Sequence, residues 1–151
     1  MRRVLLDAGL LVLLIVGNAD RERVTEHKRL SSYRPEDWDL LMGTLAQFDQ
    51  IVVTPNVLTE ASNLVRSGDK NKKSQAAFSD VFAQMTVDAE ERVETSAAVV
   101  LDADFPSLGL ADAASLNAAK DDTILTADVG LYVAAHRRGL QAINFNHLRD
   151  A

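Results

Sequence analysis

The chain of 151 residues contains no cysteine, which excludes disulfides, thiolate metal sites, iron–sulfur clusters and a cysteine nucleophile together. Proline and glycine are scarce, at 3 and 7 residues, so collagen-like and linker-like chains are set aside. Positive charge is in deficit, with 16 Lys and Arg against 22 Asp and Glu and a net charge of −6. Such a balance argues against wholesale electrostatic coating of nucleic acid, though not against a basic rim around an acidic pocket. Long hydrophobic runs are missing too. The uninterrupted stretch from Ala8 to Gly17 falls far short of the roughly 20 residues a bilayer needs. Asp7 precedes it, and the polar Asn18-Ala19-Asp20-Arg21 follows where a signal peptide would have small residues for cleavage. The expectation is a cytoplasmic chain with neither signal nor membrane anchor.

What is present reads as an ordinary folded protein, 47% hydrophobic and 25% charged, of a length that suits one domain around one core. Apolar runs alternate with helical patterns, the mark of a βαβ protein with a parallel sheet. Strands are predicted at Arg3–Leu6, Ile51–Val53, Ala97–Leu101, Thr123–Thr126 and Leu140–Phe145. The first is followed by a very apolar helix over Leu10–Val16. Its apolar surface exceeds what one core face needs, which suggests a homodimer. Residues 18–35 form a polar stretch longer than most βα connections and read as an insertion within the domain. Pro35-Glu36-Asp37 opens a helix, with acids placed to meet its dipole. Trp38, Leu41, Met42, Leu45 and Phe48 then recur at helical spacing. Thr54-Pro55-Asn56 opens another helix, Ser67–Lys73 reads as a surface loop, and a helix through Ala77, Phe78, Val81, Phe82 and Met85 follows. Helices are also predicted over Leu110–Ala119 and over Val129–Arg138, the latter closed by Gly139.

In an open parallel sheet, ligands bind beyond the carboxyl ends of the strands. Four segments each deliver one carboxylate there. Asp7 ends the first strand and Asp128 the fourth. Glu60 lies one turn into the helix after the second, and Asp112 near the start of the helix after the third. Taken singly, Asp7, Asp112 and Asp128 read as helix N-terminal acids and Glu60 as a solvated residue. Taken together, carboxylates gathered in a partly apolar cleft cannot all stay ionised at neutral pH without cations. Oxygen-only ligands favour hard cations such as Mg²⁺ or Mn²⁺, one or two of which can activate water and stabilise the leaving oxygen of a phosphodiester.

The stretches Val4-Leu5-Leu6-Asp7, Thr54–Leu64, Leu108–Ala114 and Ile124–Asp128, in this order, resemble the PIN-domain nucleases, which include the VapC-type toxins of toxin–antitoxin pairs. The resemblance implies an α/β fold of three layers, with a parallel sheet of order 3-2-1-4-5 flanked by helices. It also implies metal-dependent cleavage of single-stranded RNA. Asp7, Glu60, Asp112 and Asp128 fall on the family's acidic positions and Thr126 on its supporting hydroxyl position. Asp7 and Asp128 are then the first metal ligands, with Glu60 and Asp112 binding a second ion or orienting water. An antitoxin partner follows from the resemblance alone. The sequence departs from the family at Gly9, where Asn or Ser is usual, and in the long segment from Asn18 to Trp38.

A catalytically silent binding module on the same scaffold is the alternative from another class. Asp102-Ala103-Asp104, after an apolar run, resembles the nucleophile motif of haloacid-dehalogenase-like phosphatases. It stands two thirds along the chain and continues into Phe105-Pro106, so these acids read as loop carboxylates. His27 reads as part of a solvated, salt-bridged surface, and Arg137 and Arg138 as cations closing a helix. Tyr33, Trp38 and Phe48 read as core or dimer-face residues, while His136 and His147 receive no role.

Overall fold

The computed structural model covers residues 1–151. Five short strands, β1 (Arg3–Leu6), β2 (Gln50–Val53), β3 (Glu90–Glu91), β4 (Thr123–Thr126) and β5 (Ala142–Asn144), form one sheet of order 3-2-1-4-5. All four pairings are parallel, with Leu5 opposite Val52 on one side and Ile124 on the other. Parallel neighbours require crossovers, which helices provide. Between β1 and β2 lie α1 (Ala8–Ala19), α2 (Arg23–Glu26), a 3₁₀ turn (Lys28–Leu30) and α3 (Pro35–Leu45). α4 (Pro55–Gly68) and α5 (Lys72–Asp88) lead to β3, and α6 (Ser96–Val99), α7 (Phe105–Leu108) and α8 (Leu110–Ala119) lead to β4. α9 (Val129–Arg137) joins β4 to β5, and α10 (Phe145–Arg149) follows.

Alternation along the strands sends successive side chains to opposite faces. Val4, Leu6, Val53 and Leu125 pack with α1, α3, α4 and α5, whereas Leu5, Val52 and Ile124 pack with α8 and α9. Three layers result: helices, sheet, helices. From β1 the chain winds to one edge through β2 and β3, then returns to β4 on the other side of β1. The reversal of direction therefore falls between β1 and β4, the kind of crevice where open α/β sheets bind ligands.

α1 explains the apolar run near the start. Every residue from Leu10 to Val16 is at most 3% exposed, because α3, α4 and α5 wrap it on the side away from the sheet. Its apolar surplus is consumed within the chain and gives no reason for a second copy. No helix is long and apolar enough to cross a membrane.

Several expectations are corrected. Ala97–Leu101 is not a strand; Ser96–Val99 form α6, with Val99 buried against Ala113 and Ala114 while Leu101 is exposed. The third strand is instead Glu90–Glu91, held by ion pairs from Arg3 and Arg92 to Glu90. The last strand is shorter than predicted at both ends. Leu140 donates to the Ala135 carbonyl to close α9 after Gly139 (φ +74°), and Asn144 caps α10 through Asn146 N–H. The loop expected over Ser67–Lys73 shrinks to residues 69–71 between α4 and α5. The polar stretch contributes Val24, His27 and Leu30 to the interior. His27 is therefore not a surface residue. Its Nε2 meets the Val65 carbonyl at 3.0 Å, Arg29 N–H reaches its Nδ1, and its ring stands edge-on to Phe78. With Nδ1 accepting, Nε2 carries the proton and donates to Val65.

Candidate functional site

The site is built at the carboxyl ends of β1 and β4. Asp7 follows β1 and caps α1: its Oδ1 accepts from Leu10 N–H at 2.9 Å. Its Oδ2 accepts from the Thr126 hydroxyl and, at 3.2 Å, from Ala127 N–H. Thr126 closes the link to the neighbouring strand end by accepting from Asp128 N–H at 2.9 Å. Asp128 in turn caps α9 through Leu131 N–H at 3.0 Å. The capping reading of Asp7 and Asp128 is thus realised. A carboxylate offers about four lone-pair positions. Asp7 uses three on the protein and Asp128 one, so Asp128 retains more capacity for a ligand.

Asp112 lies in the first turn of α8, half-buried, and Glu60 is exposed on α4. The route to Asp112 differs from that read in the sequence: α6 and α7 precede α8, and Gly109 makes the turn between α7 and α8 at φ +85°. Neither the Asp112 nor the Glu60 side chain makes a hydrogen bond within the protein. Burial pushes the Asp112 carboxyl up to about 7, with further increments from the negative charges of Asp128, Asp7 and Glu60. Burial also raises Asp7, against the lowering effect of its hydrogen bonds from Thr126, Leu10 and Ala127; Asp128 adds to the rise. The carboxylates therefore sense one another across one rim of the sheet.

No cation answers them. The arginines pair elsewhere: Arg137 and Arg138 with Asp104, Arg92 with Asp122 and Glu90, Arg149 with Asp37, and Arg21 with Asp39. This accounts for two sequence readings. Asp104 is a buried anchor for α9, and the two arginines at the end of that helix hold it as well as suiting the dipole. In kind, the oxygen donors of Asp7, Glu60, Asp112 and Asp128 suit a hard divalent cation, and their uncompensated charge suits one too. As the side chains stand, no three of them close on a common point as a ligand group that could hold a metal ion.

One neighbour escaped the sequence reading. A shallow groove of about 440 Å³ runs beside Glu60 between α4 and α8, lined by Asn56, Thr59, Asn63, Leu110 and Ala111. The polar spacing of Asn56, Thr59 and Asn63 along one helix face was its only signal. Tyr33, read in the sequence as a core or dimer-face residue, packs against the core; burial raises its hydroxyl, and the Asp7 charge raises it further. Arg149 stacks over the ring at 4.6 Å. Gly9 lies close by, where an added β-carbon would meet Asp7 Oδ1 at 3.8 Å, so a side chain there has room.

The raised carboxyl of Asp112 sets a direction for pH dependence. Its native form keeps a proton that the unfolded chain releases near 3.8, so stability falls as pH rises from about 4 to about 7. Asp112→Asn removes this slope. In EDTA, urea melts are expected to show the variant gaining about 1–2 kcal/mol on the wild type between pH 5 and pH 8, after discounting for solvent screening of a half-exposed group. Equal slopes for the two proteins would show that Asp112 is not under that strain.

No known family model, curated protein or solved structure matches the chain.

Proposed function

We propose that this chain is a PIN-like, metal-dependent endoribonuclease acting on single-stranded RNA, with Asp7, Glu60, Asp112 and Asp128 as the acidic residues that hold Mg²⁺ or Mn²⁺. The observation that carries this reading is the link by which Thr126 joins Asp7 to Asp128 at the carboxyl ends of β1 and β4, with Asp112 and Glu60 on the flanking helices and no arginine paired with any of the four. When bound, the ion supplies a more acidic water and stabilises charge on the leaving oxygen of a phosphodiester. The protein's own part is to fix the carboxylates. The Thr126 hydroxyl orients Asp7 Oδ2 while receiving Asp128 N–H, so one side chain sets two acids in register. The helix caps hold Asp7 Oδ1 and Asp128 Oδ1, leaving Asp128 Oδ2 free. The four acids repel a polyanion until a cation is loaded, and this makes RNA affinity depend on the ion. The cytoplasmic toxin of a toxin–antitoxin pair, with an antitoxin protein as partner, is the physiological setting consistent with the resemblance.

A catalytically silent binding module on this scaffold is the second reading, favoured by the open spacing of the acids and by Gly9. The two are separated by cleavage of labelled RNA pools in Mn²⁺ and in EDTA, run beside thermal melts. The nuclease reading expects cleavage only with Mn²⁺. It also expects Mn²⁺ at about a hundredfold over its Kd to add about 2.7 kcal/mol of stability, a rise of several degrees in Tm. Asp7→Asn/Asp128→Asn should lose both effects. Cleavage undiminished by EDTA would exclude the metal-dependent mechanism; stabilisation by Mn²⁺ without cleavage would leave the silent module.

A further inference from the structure

The outer face of α9 carries a feature that the acid site does not use. Val129, Tyr132, Val133 and His136 recur along this face, with Val129 62% and Val133 49% exposed. The Tyr132 ring lies near-parallel to His136, inclined by 21° with centroids 6.2 Å apart, at the wide end of aromatic contact. His147 of α10 stands edge-on to the same ring at 5.6 Å. Both histidines are exposed and Tyr132 is half-exposed. In a chain with 5% aromatic residues, three rings from two helices meet at the surface without serving the core.

Their location gives them meaning. Tyr132 N–H donates to the Asp128 carbonyl at 3.0 Å, so Tyr132 stands one helical turn along α9 from the acid. The Cα–Cβ bond of a helical residue tilts toward the N-terminal end, here toward Asp128. On the other side, Asn146, the neighbour of His147, donates its side-chain N–H to the Ala127 carbonyl at 3.1 Å. The rings are thereby tied through both helices to the Thr126–Asp128 strand end.

Resting on the ribonuclease reading above, we infer that Tyr132, flanked by His136 and His147, is the stacking platform for an unpaired nucleobase of the RNA strand next to the scissile phosphate. The chain carries a net charge of −6 and its acid site has no arginine partner, so the site's own side-chain charges add no affinity for a polyanion. Unstacked bases find that affinity on aromatic faces, and the imidazole N–H groups beside the ring can donate to base edges or phosphate oxygens. Tyr132 is on this reading a positioning and binding residue, not a member of the acid site.

The test uses the full chain in Mn²⁺ with a short labelled single-stranded oligoribonucleotide. Tyr132→Ala is expected to raise KM about tenfold with kcat changed by less than about twofold, while Tyr132→Phe, which keeps the ring, stays near wild type. Replacing one nucleotide at a time by an abasic unit should cost the wild type a similar factor at a single position and cost Tyr132→Ala nothing further there. Unchanged KM in Tyr132→Ala would overturn the inference, as would equal loss in Tyr132→Phe. A change in oligomeric mass with RNA binding intact would also overturn it and would make the strip a protein interface. A wild type that neither binds nor cuts the oligonucleotide overturns the ribonuclease reading itself, and the platform with it.

Discussion

Asp7→Asn is expected to lower Mn²⁺-dependent RNA cleavage about a thousandfold while leaving Tm within a few degrees of wild type. The two halves of this expectation have separate causes. Asparagine keeps an oxygen for the cap to Leu10 N–H, and it sheds a charge that burial disfavours. Against this, its amide NH₂ faces two donors: the bond from Ala127 N–H is lost, the one with the Thr126 hydroxyl survives only with that hydroxyl turned to accept, and the stability terms roughly offset. The loss of activity has no such compensation, because a neutral side chain cannot neutralise an ion. Thr126→Val should fall between, about 10- to 100-fold down, since the hydroxyl that joins Asp7 to Asp128 N–H is removed while both acids remain. Cleavage rates on one RNA, with melts of each variant, check both. Wild-type cleavage by Asp7→Asn would end the nuclease reading.

The largest expected effect on stability is at Gly68. A β-carbon there would fall inside the van der Waals envelope of the His27 ring. That ring cannot yield, being 1% exposed and bonded on one side to the Val65 carbonyl and on the other to Arg29 N–H. Gly68→Ala is therefore expected to destabilise by about 2–3 kcal/mol, lowering Tm by about 4–12 °C. The companion experiment is His27→Ala in the same background. If the clash is the cause, the double variant is less destabilised than the sum of the singles, and thermal or urea melts read the coupling directly. Additive losses would locate the damage elsewhere.

How much of this was legible in the sequence follows from what each element buries. β1, β2 and β4 are two-sided interior strands and show as bare apolar runs. The starts of α1, α4 and α9 show through Asp7, Thr54 and Asp128, which cap them. β3 was invisible because it is two glutamates on the sheet edge, stabilised by arginines and not by burial. Ala97–Leu101 misled for the converse reason: a short apolar run has no periodicity of its own, and only the packing of Val99 on α8 decides for a helix. His27 was misread because its neighbours are charged, whereas its partners, Val65 and Phe78, lie about 40 to 50 residues away in the chain. Asp7 and Asp128 were legible as strand-end residues, Asp112 as a helix-start residue and Glu60 as a residue one turn into its helix. Their spacing, and the absence of any arginine among them, depend on tertiary placement that no local pattern contains.

The wrapping of α1 also has a consequence for biosynthesis. The helices that enclose it, α3, α4 and α5, follow it in chain order, the last extending to Asp88. During translation the Leu10–Val16 segment emerges tens of residues before its covering does, and at about 5–20 residues per second it stays bare for seconds. In that interval it is a natural client for chaperones and a seed for aggregation, and the most protected helix of the finished protein is the most vulnerable part of the unfinished one.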